Sequence, residues 1–293
     1  KEYRRQRQMC IRDSGSNRIM EREFRFQRAL EGTLVPHARP LVLCTDSSVT
    51  GSVFYVMERV DGVLPLDPLP EEIGGPLAAR RVAEELLDAL AALSSVDHVA
   101  AGLSDLGKPD RFLERQVGRW RSQLESYAAF DGYRGPDLPG VDRVGAWLDD
   151  HRPTDFHCGI IHGDYHLANV LAAHDRPELA AVLDWELTTL GDPRLDLAWL
   201  LITSGGVGSF ETATDGFPTT DELVVRYSEG TGLSLDDLAW WQTLACYKLG
   251  IILEGTNARA AAGRAPVETG RDLHQRAVLL FEQAGHLIDG AGR

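Results

Sequence analysis

The sequence predicts an α+β fold of two lobes, a short β-containing N-terminal lobe and a larger, mostly helical C-terminal one. Three observations predict it. Strand-like runs separated by turn residues occupy residues 40–60, apolar positions from residue 77 onward recur at helical spacing, and a small β-rich island interrupts the helices near residues 159–183. At 293 residues the chain has the length of two domains or of one two-lobed enzyme.

The first fourteen residues, KEYRRQRQMCIRDS, hold five basic and two acidic side chains in a chain that is otherwise acidic. This composition break marks residues 1–14 as a non-native or disordered tail. Residues 15–62 form a partial N-lobe. Within it, Ile19, Phe24, Phe26 and Leu30 give residues 16–30 the pattern of an amphipathic helix closed by Gly32. Residues 40–44 and 53–60 read as a hairpin around a turn at 46–51, and Asp61-Gly62 as a linker.

Residues 63–293 form the helical C-lobe with the catalytic loop and substrate site. Leu77, Val82, Leu86, Leu87, Leu90 and Leu93 fit one helix face, and residues 112–127 and 141–148 fit two more. Short β runs follow at 159–161, 170–172 and 180–183, then helices at 193–203, 220–230, 235–262 and 269–288. Trp199, Trp240, Trp241 and Tyr247 lie at core spacing on those helices, and Gly205 to Gly208 read as a flexible substrate-side loop.

Composition excludes several classes. Hydrophobic residues at 43% and charged ones at 25% rule out a disordered, collagen-like or disulfide-scaffold protein. No apolar run approaches the roughly 20 residues that span a bilayer, and no signal-peptide pattern is present, so a cytoplasmic protein without a membrane partner is expected. A formal charge of -14 disfavours a nucleic-acid partner, because a phosphate backbone would repel it. Cys10, Cys44, Cys158 and Cys246 are far apart with no CxxC pair, so they read as reduced residues, mostly in the core.

The chemistry concentrates in the stretch IIHGDYHLANVL, residues 160–171, where two apolar runs flank a polar loop. Asp164 offers a carboxylate that can accept the proton of an attacking hydroxyl, and Asn169 an oxygen ligand for magnesium, the two needs of phosphoryl transfer. His162, Asp164 and His166 also permit a second reading, a hydrolase metal site. A second stretch, VLDWE followed by GDPRLDLAW, ends a strand in Asp184 and Glu186, and a hairpin return would place both beside the first loop. Hard oxygen ligands then converge, and no further histidine accompanies them.

HGDYHLAN, LDWE and GDPRLDLAW together resemble the catalytic loop and metal-binding segment of the aminoglycoside phosphotransferase family, which has a protein-kinase-like fold. FYVMERVDG is similar to that family's strand and hinge, and EREFRFQRAL to its N-lobe helix. RYSEGTG and ACYKLGIILEGTNARAAAG bring the likeness nearest to kinase domains fused to, or encoded beside, acyl-CoA dehydrogenases. The resemblance implies Asp164 as catalytic base with His162 orienting the loop, and Asn169, Asp184 and Glu186 at the magnesium. It implies Glu23 as the helix carboxylate, Met57, Glu58 and Val60 where the hinge meets adenine, and Asp196 as support for the loop backbone. The implied cofactors are ATP and Mg2+, and the implied partners a small-molecule hydroxyl acceptor and an acyl-CoA dehydrogenase.

One departure stands against the likeness. The family's Gly-rich loop and strand lysine are missing, since the chain's lysines are Lys1, Lys108 and Lys248. An enzyme lacking its first three strands is therefore expected, with a weakened grip on phosphate and turnover near background. A kinase-like binding protein without turnover stays open as an alternative. For the acceptor, Arg226, Lys248, Arg259 and Arg264 among apolar helix positions favour a hydroxyacyl compound with an anionic head over an aminoglycoside or amino-alcohol.

Overall fold

The computed structural model describes residues 14–65, 75–204 and 216–291. In chain order its main elements are α1 (Ser14–Ala29), β1 (Pro40–Cys44), β2 (Phe54–Met57), α2 (Gly75–Ser94), α3 (Phe112–Ser126), α4 (Val141–Asp150), β3 (Gly159–Ile161), β4 (Val170–Ala172), β5 (Leu179–Val182), β6 (Thr189–Gly191), α5 (Arg194–Thr203), α6 (Thr220–Thr231), α7 (Leu238–Ala261) and α8 (Val267–Ala291). The predicted β3 and β4 match residue for residue. β6 was not foreseen, because Thr189-Leu190-Gly191 holds a single large apolar residue, against the adjacent pairs Ile160-Ile161 in β3 and Val170-Leu171 in β4. The chain divides into two compact units, one from residues 1–107, 159–190 and 214–231, the other from 108–158, 191–213 and 232–293.

In the first unit, α1 buries Phe26 and Leu30 just past its end, while Ile19, nearer its start, is exposed. β1 and β2 form the expected antiparallel hairpin, with Val42 opposite Val56 and Cys44 opposite Phe54. α2 turns Val82, Leu86, Leu87, Leu90 and Leu93 inward, but Leu77 is 82% exposed. At that turn the inward positions belong to Ala78 and Ala79, which continue the 3.6-residue stripe and leave Leu77 about 100° off it. α6 packs on α2, where Arg226 pairs with Asp88 at 2.6 Å. β4 and β5 are antiparallel, with Val170 opposite Val182.

In the second unit, α7 and α8 pack side by side so closely that a Cβ on Gly270 would lie 2.4 Å from the Ala260 Cβ. All of α5 is buried. At its start Arg194 is 1% exposed, bonded to Asp192 at 2.7 Å and Asp155 at 2.9 Å, with its guanidinium over the Trp241 ring. Trp199, Trp240, Trp241 and Tyr247 are core, as their spacing predicts. Of the described cysteines only Cys246 is fully buried; Cys44 at a strand end and Cys158 in a connecting loop are half-exposed, which corrects the expectation of a mostly core set. Cys10 and Gly205 to Gly208 lie outside the described residues. Among the described residues, no helix is long and apolar enough to cross a membrane.

Candidate active site

The candidate site lies in the first unit, on the loop that β3 feeds. His162 is fully buried there. Its Nε2–H donates to the Leu183 carbonyl at 2.8 Å, and its Nδ1 accepts the Asp164 backbone N–H at 3.3 Å. The rings of Tyr165 and Trp185 meet it edge-on, with centroids 5.7 Å and 4.9 Å away. With both ring nitrogens engaged, His162 braces the loop, and the metal-hydrolase reading loses a ligand. Among the described residues no group of three or more His, Cys, Asp or Glu side chains is arranged to hold a metal. Gly163 has φ +86, and a Cβ there would meet the Leu187 carbonyl oxygen at 2.7 Å, so the turn requires glycine.

Asp164 is one-quarter exposed and Asn169 nearly buried. The Asn169 Nδ2 donates to both the Asp164 carbonyl and Asp164 Oδ2, each at 2.9 Å. That orientation leaves Oδ1 as the Asn169 atom able to ligate a cation. The antiparallel return of β5 brings in the second motif. The Leu183 N–H donates to the Asn169 carbonyl at 2.7 Å, and Asp184 follows at once. Asp184 holds φ +65, a left-handed conformation uncommon for a non-glycine residue, and its Oδ2 is buried. Trp185, anchored by its indole N–H to the Val182 carbonyl at 3.1 Å, fixes the turn that follows, and Glu186 is exposed.

Glu23 on α1 shares this neighbourhood. Burial, reinforced by the negative charges of Asp184 and Glu186, pushes its carboxyl up to about 7, against the opposing hydrogen bonds from Tyr55 and the Trp185 N–H. The Tyr55 hydroxyl in turn accepts from Gln27 Nε2 at 2.7 Å, and burial beside Glu23 raises its own pKa. The side-chain group hydrogen-bonded to the Glu23 carboxyl is thus a phenol. Tyr55 lay beyond sequence reasoning; Gln27, one helical turn after Glu23, was the available signal.

Met57 and Glu58 are exposed and Val60 half-exposed; the Glu58 N–H donates to the Arg39 carbonyl at 2.9 Å while its carboxylate pairs with Arg39 at 2.6 Å. Asp196 is buried in the first turn of α5, in the second unit. The four cations invoked for the acceptor differ in their surroundings. Arg226 is in the first unit, paired with Asp88, and Lys248 is buried, its ammonium 4.2 Å from the Trp199 ring centre. Arg259 and Arg264 alone are exposed.

Known proteins resemble this chain over most of its length. The model of the phosphotransferase enzyme family, APH, matches residues 10–244. Mouse (Mus musculus) acyl-CoA dehydrogenase family member 10 is 31% identical over 281 residues, covering 90% of this chain but only 25% of the mouse protein. The chain thus spans about a quarter of that relative's length. A solved protein of Ralstonia eutropha JMP134, described as an aminoglycoside phosphotransferase, superposes with a TM-score of 0.81 at 30% identity, over 92% of this chain and 83% of its own. A thermostable APH(4)-Ia mutant, solved as a ternary complex with AMP-PNP and hygromycin B, shares the fold alone: TM-score 0.57, 14% identity, 89% and 82% of the two chains.

Proposed function

The chain belongs to the phosphotransferase enzyme family, and from that premise we propose that it transfers the γ-phosphoryl group of ATP to a hydroxyl of a small metabolite, with Mg2+ as cofactor. The observation that carries this reading is the junction of two motifs: Asn169 bonded to the Asp164 carboxylate, and Asp184 one residue past the Leu183–Asn169 bond. Asp164 is the base. It receives the acceptor's hydroxyl proton as that oxygen bonds to the γ-phosphorus, while the bond from phosphorus to the β–γ bridging oxygen breaks and ADP leaves.

The donor set suits magnesium, a hard cation commonly held by one or two carboxylates plus substrate phosphates. Asn169 and Asp184 would hold it, with Glu186 near enough to assist, and when bound it offsets the charge of the nucleotide phosphates. The paired ring nitrogens of His162 keep that residue in the scaffold. The APH(4)-Ia complex supports an adenine nucleotide at this fold's site and a hydroxylated acceptor beside it. The acyl-CoA dehydrogenase relative supports a hydroxyacyl compound as acceptor, because phosphorylating a hydroxyl makes it a leaving group for acyl-chain metabolism, and it supports such a dehydrogenase as partner.

A second reading, a nucleotide-binding protein without turnover, draws support from the Glu23 carboxyl, which faces Tyr55 instead of a lysine. One panel tests both: γ-labelled ATP with magnesium is offered 3-hydroxybutanoate, its coenzyme A thioester, choline and kanamycin. Label on the hydroxyacyl compounds is expected. Label on choline or kanamycin alone would overturn the acceptor class, and label on none would favour the binding protein.

A further inference from the structure

We propose that His166 is a positioning residue that holds the carboxylate of Asp164 in line for proton transfer, an inference that rests on the phosphotransferase reading above. His166 is the residue at the N-terminus of the 167–169 turn, in extended conformation, and its Nδ1 accepts the Ala168 N–H at 3.2 Å. A neutral imidazole nitrogen that accepts a hydrogen bond carries the lone pair, so the ring proton resides on Nε2. That nitrogen lies 3.5 Å from Asp164 Oδ1.

The other carboxylate oxygen is already held, since Asn169 Nδ2 donates to Oδ2 at 2.9 Å. Nε2 also lies 3.2 Å from Asn169 Nδ2, which could donate to it only if the ring proton sat on Nδ1; the bond from the Ala168 N–H to Nδ1 places the proton on Nε2 instead, where it meets Asp164 Oδ1 while Nδ2 serves Oδ2. The His166 contact is longer than a direct hydrogen bond and acts as an electrostatic restraint on the plane of the carboxyl group. The side chain is 17% exposed, which limits competition from water. One imidazole thus does two jobs: it caps the turn that aims Asn169, and it orients the base.

Two substitutions separate the jobs. His166→Asn keeps an acceptor near the Nδ1 position for the Ala168 N–H, but has nothing at Nε2. His166→Gln reaches the Nε2 position with an N–H and gives up the cap. With 3-hydroxybutanoyl-coenzyme A as probe acceptor, kcat should fall roughly 10- to 100-fold in His166→Asn with the KM for ATP unchanged, and recover in His166→Gln despite a lower melting temperature.

The deciding measurement needs no turnover. Nitrogen-15 NMR of the chain should show His166 protonated at Nε2 and unprotonated at Nδ1, with the Nε2–H signal shifting in Asp164→Asn. An Nδ1 protonated in the parent, or an Nε2–H signal indifferent to Asp164→Asn, overturns the proposal. Should NMR agree while parent and Asp164→Asn transfer phosphate equally, the phosphotransferase reading fails and the His166–Asp164 relationship stands.

Discussion

The Leu183 residue is the junction of the site: its N–H donates to the Asn169 carbonyl at 2.7 Å and its own carbonyl accepts from His162 Nε2 at 2.8 Å. One residue therefore ties the loop of Asp164 to the strand end of Asp184. His162→Ala removes a fully buried ring and both of its bonds, and leaves the Leu183 carbonyl and the Asp164 N–H to find other partners. The expected cost is about 3 kcal/mol, read by denaturant unfolding. A loss below about 1 kcal/mol would show that the loop does not depend on this brace.

Glu23 sets a pH dependence. Its carboxyl moves from 4.5 to about 7, chiefly through burial. Between those values the folded chain keeps a proton that the unfolded chain has released, so its contribution to stability falls as pH rises across that window and levels off above it. Glu23→Gln cannot ionise. Its melting temperature should gain on the parent more at pH 8 than at pH 5, and an equal difference at both would contradict the buried, protonated carboxyl.

Phosphate recognition should be weak for a kinase. The side-chain group hydrogen-bonded to the Glu23 carboxyl is the Tyr55 hydroxyl. With a phenol in that place, the triphosphate should add less than about tenfold to the affinity of adenosine, a gain of about 1.4 kcal/mol at most. Calorimetry with adenosine and magnesium-ATP measures this. ATP binding a thousandfold tighter would mean that other cations grip the phosphates.

The second unit rests on a buried ion pair. Asp192 is fully buried against Arg194, whereas Asp155, on the same guanidinium, is 60% exposed. Asp192→Asn leaves a buried cation undercompensated and should cost about 3–5 kcal/mol, while Asp155→Asn should cost under about 1 kcal/mol. Similar losses from the two changes would deny that burial sets the difference.

The helices and the β-island were legible because each has a period or a sharp boundary. β3 is an apolar triplet that opens on the polar His162-Gly163-Asp164 segment, and the α2 stripe from Val82 to Leu93 keeps 3.6-residue spacing. Leu77 misled because a leucine near a stripe is read as part of it, and only the helix phase shows that Ala78 and Ala79 face inward. In the site, Asp164 and Asn169 were legible from local spacing. The left-handed backbone of Asp184 and the Tyr55–Glu23 bond were not, since one depends on the turn after β5 and the other joins residues 32 apart in sequence. For a related reason, spacing along 226–264 could not reveal that Arg226 pairs with Asp88 or that Lys248 is buried.

The central claim, that Asp164 serves as the base for phosphoryl transfer, is tested most directly by single-turnover transfer from γ-labelled magnesium-ATP to 3-hydroxybutanoyl-coenzyme A, comparing the parent chain with Asp164→Asn. The ratio of the two rates carries the result. A rate roughly 10²-fold lower in Asp164→Asn, with adenosine affinity unchanged, is the outcome this account predicts. Equal rates in the two proteins would contradict it.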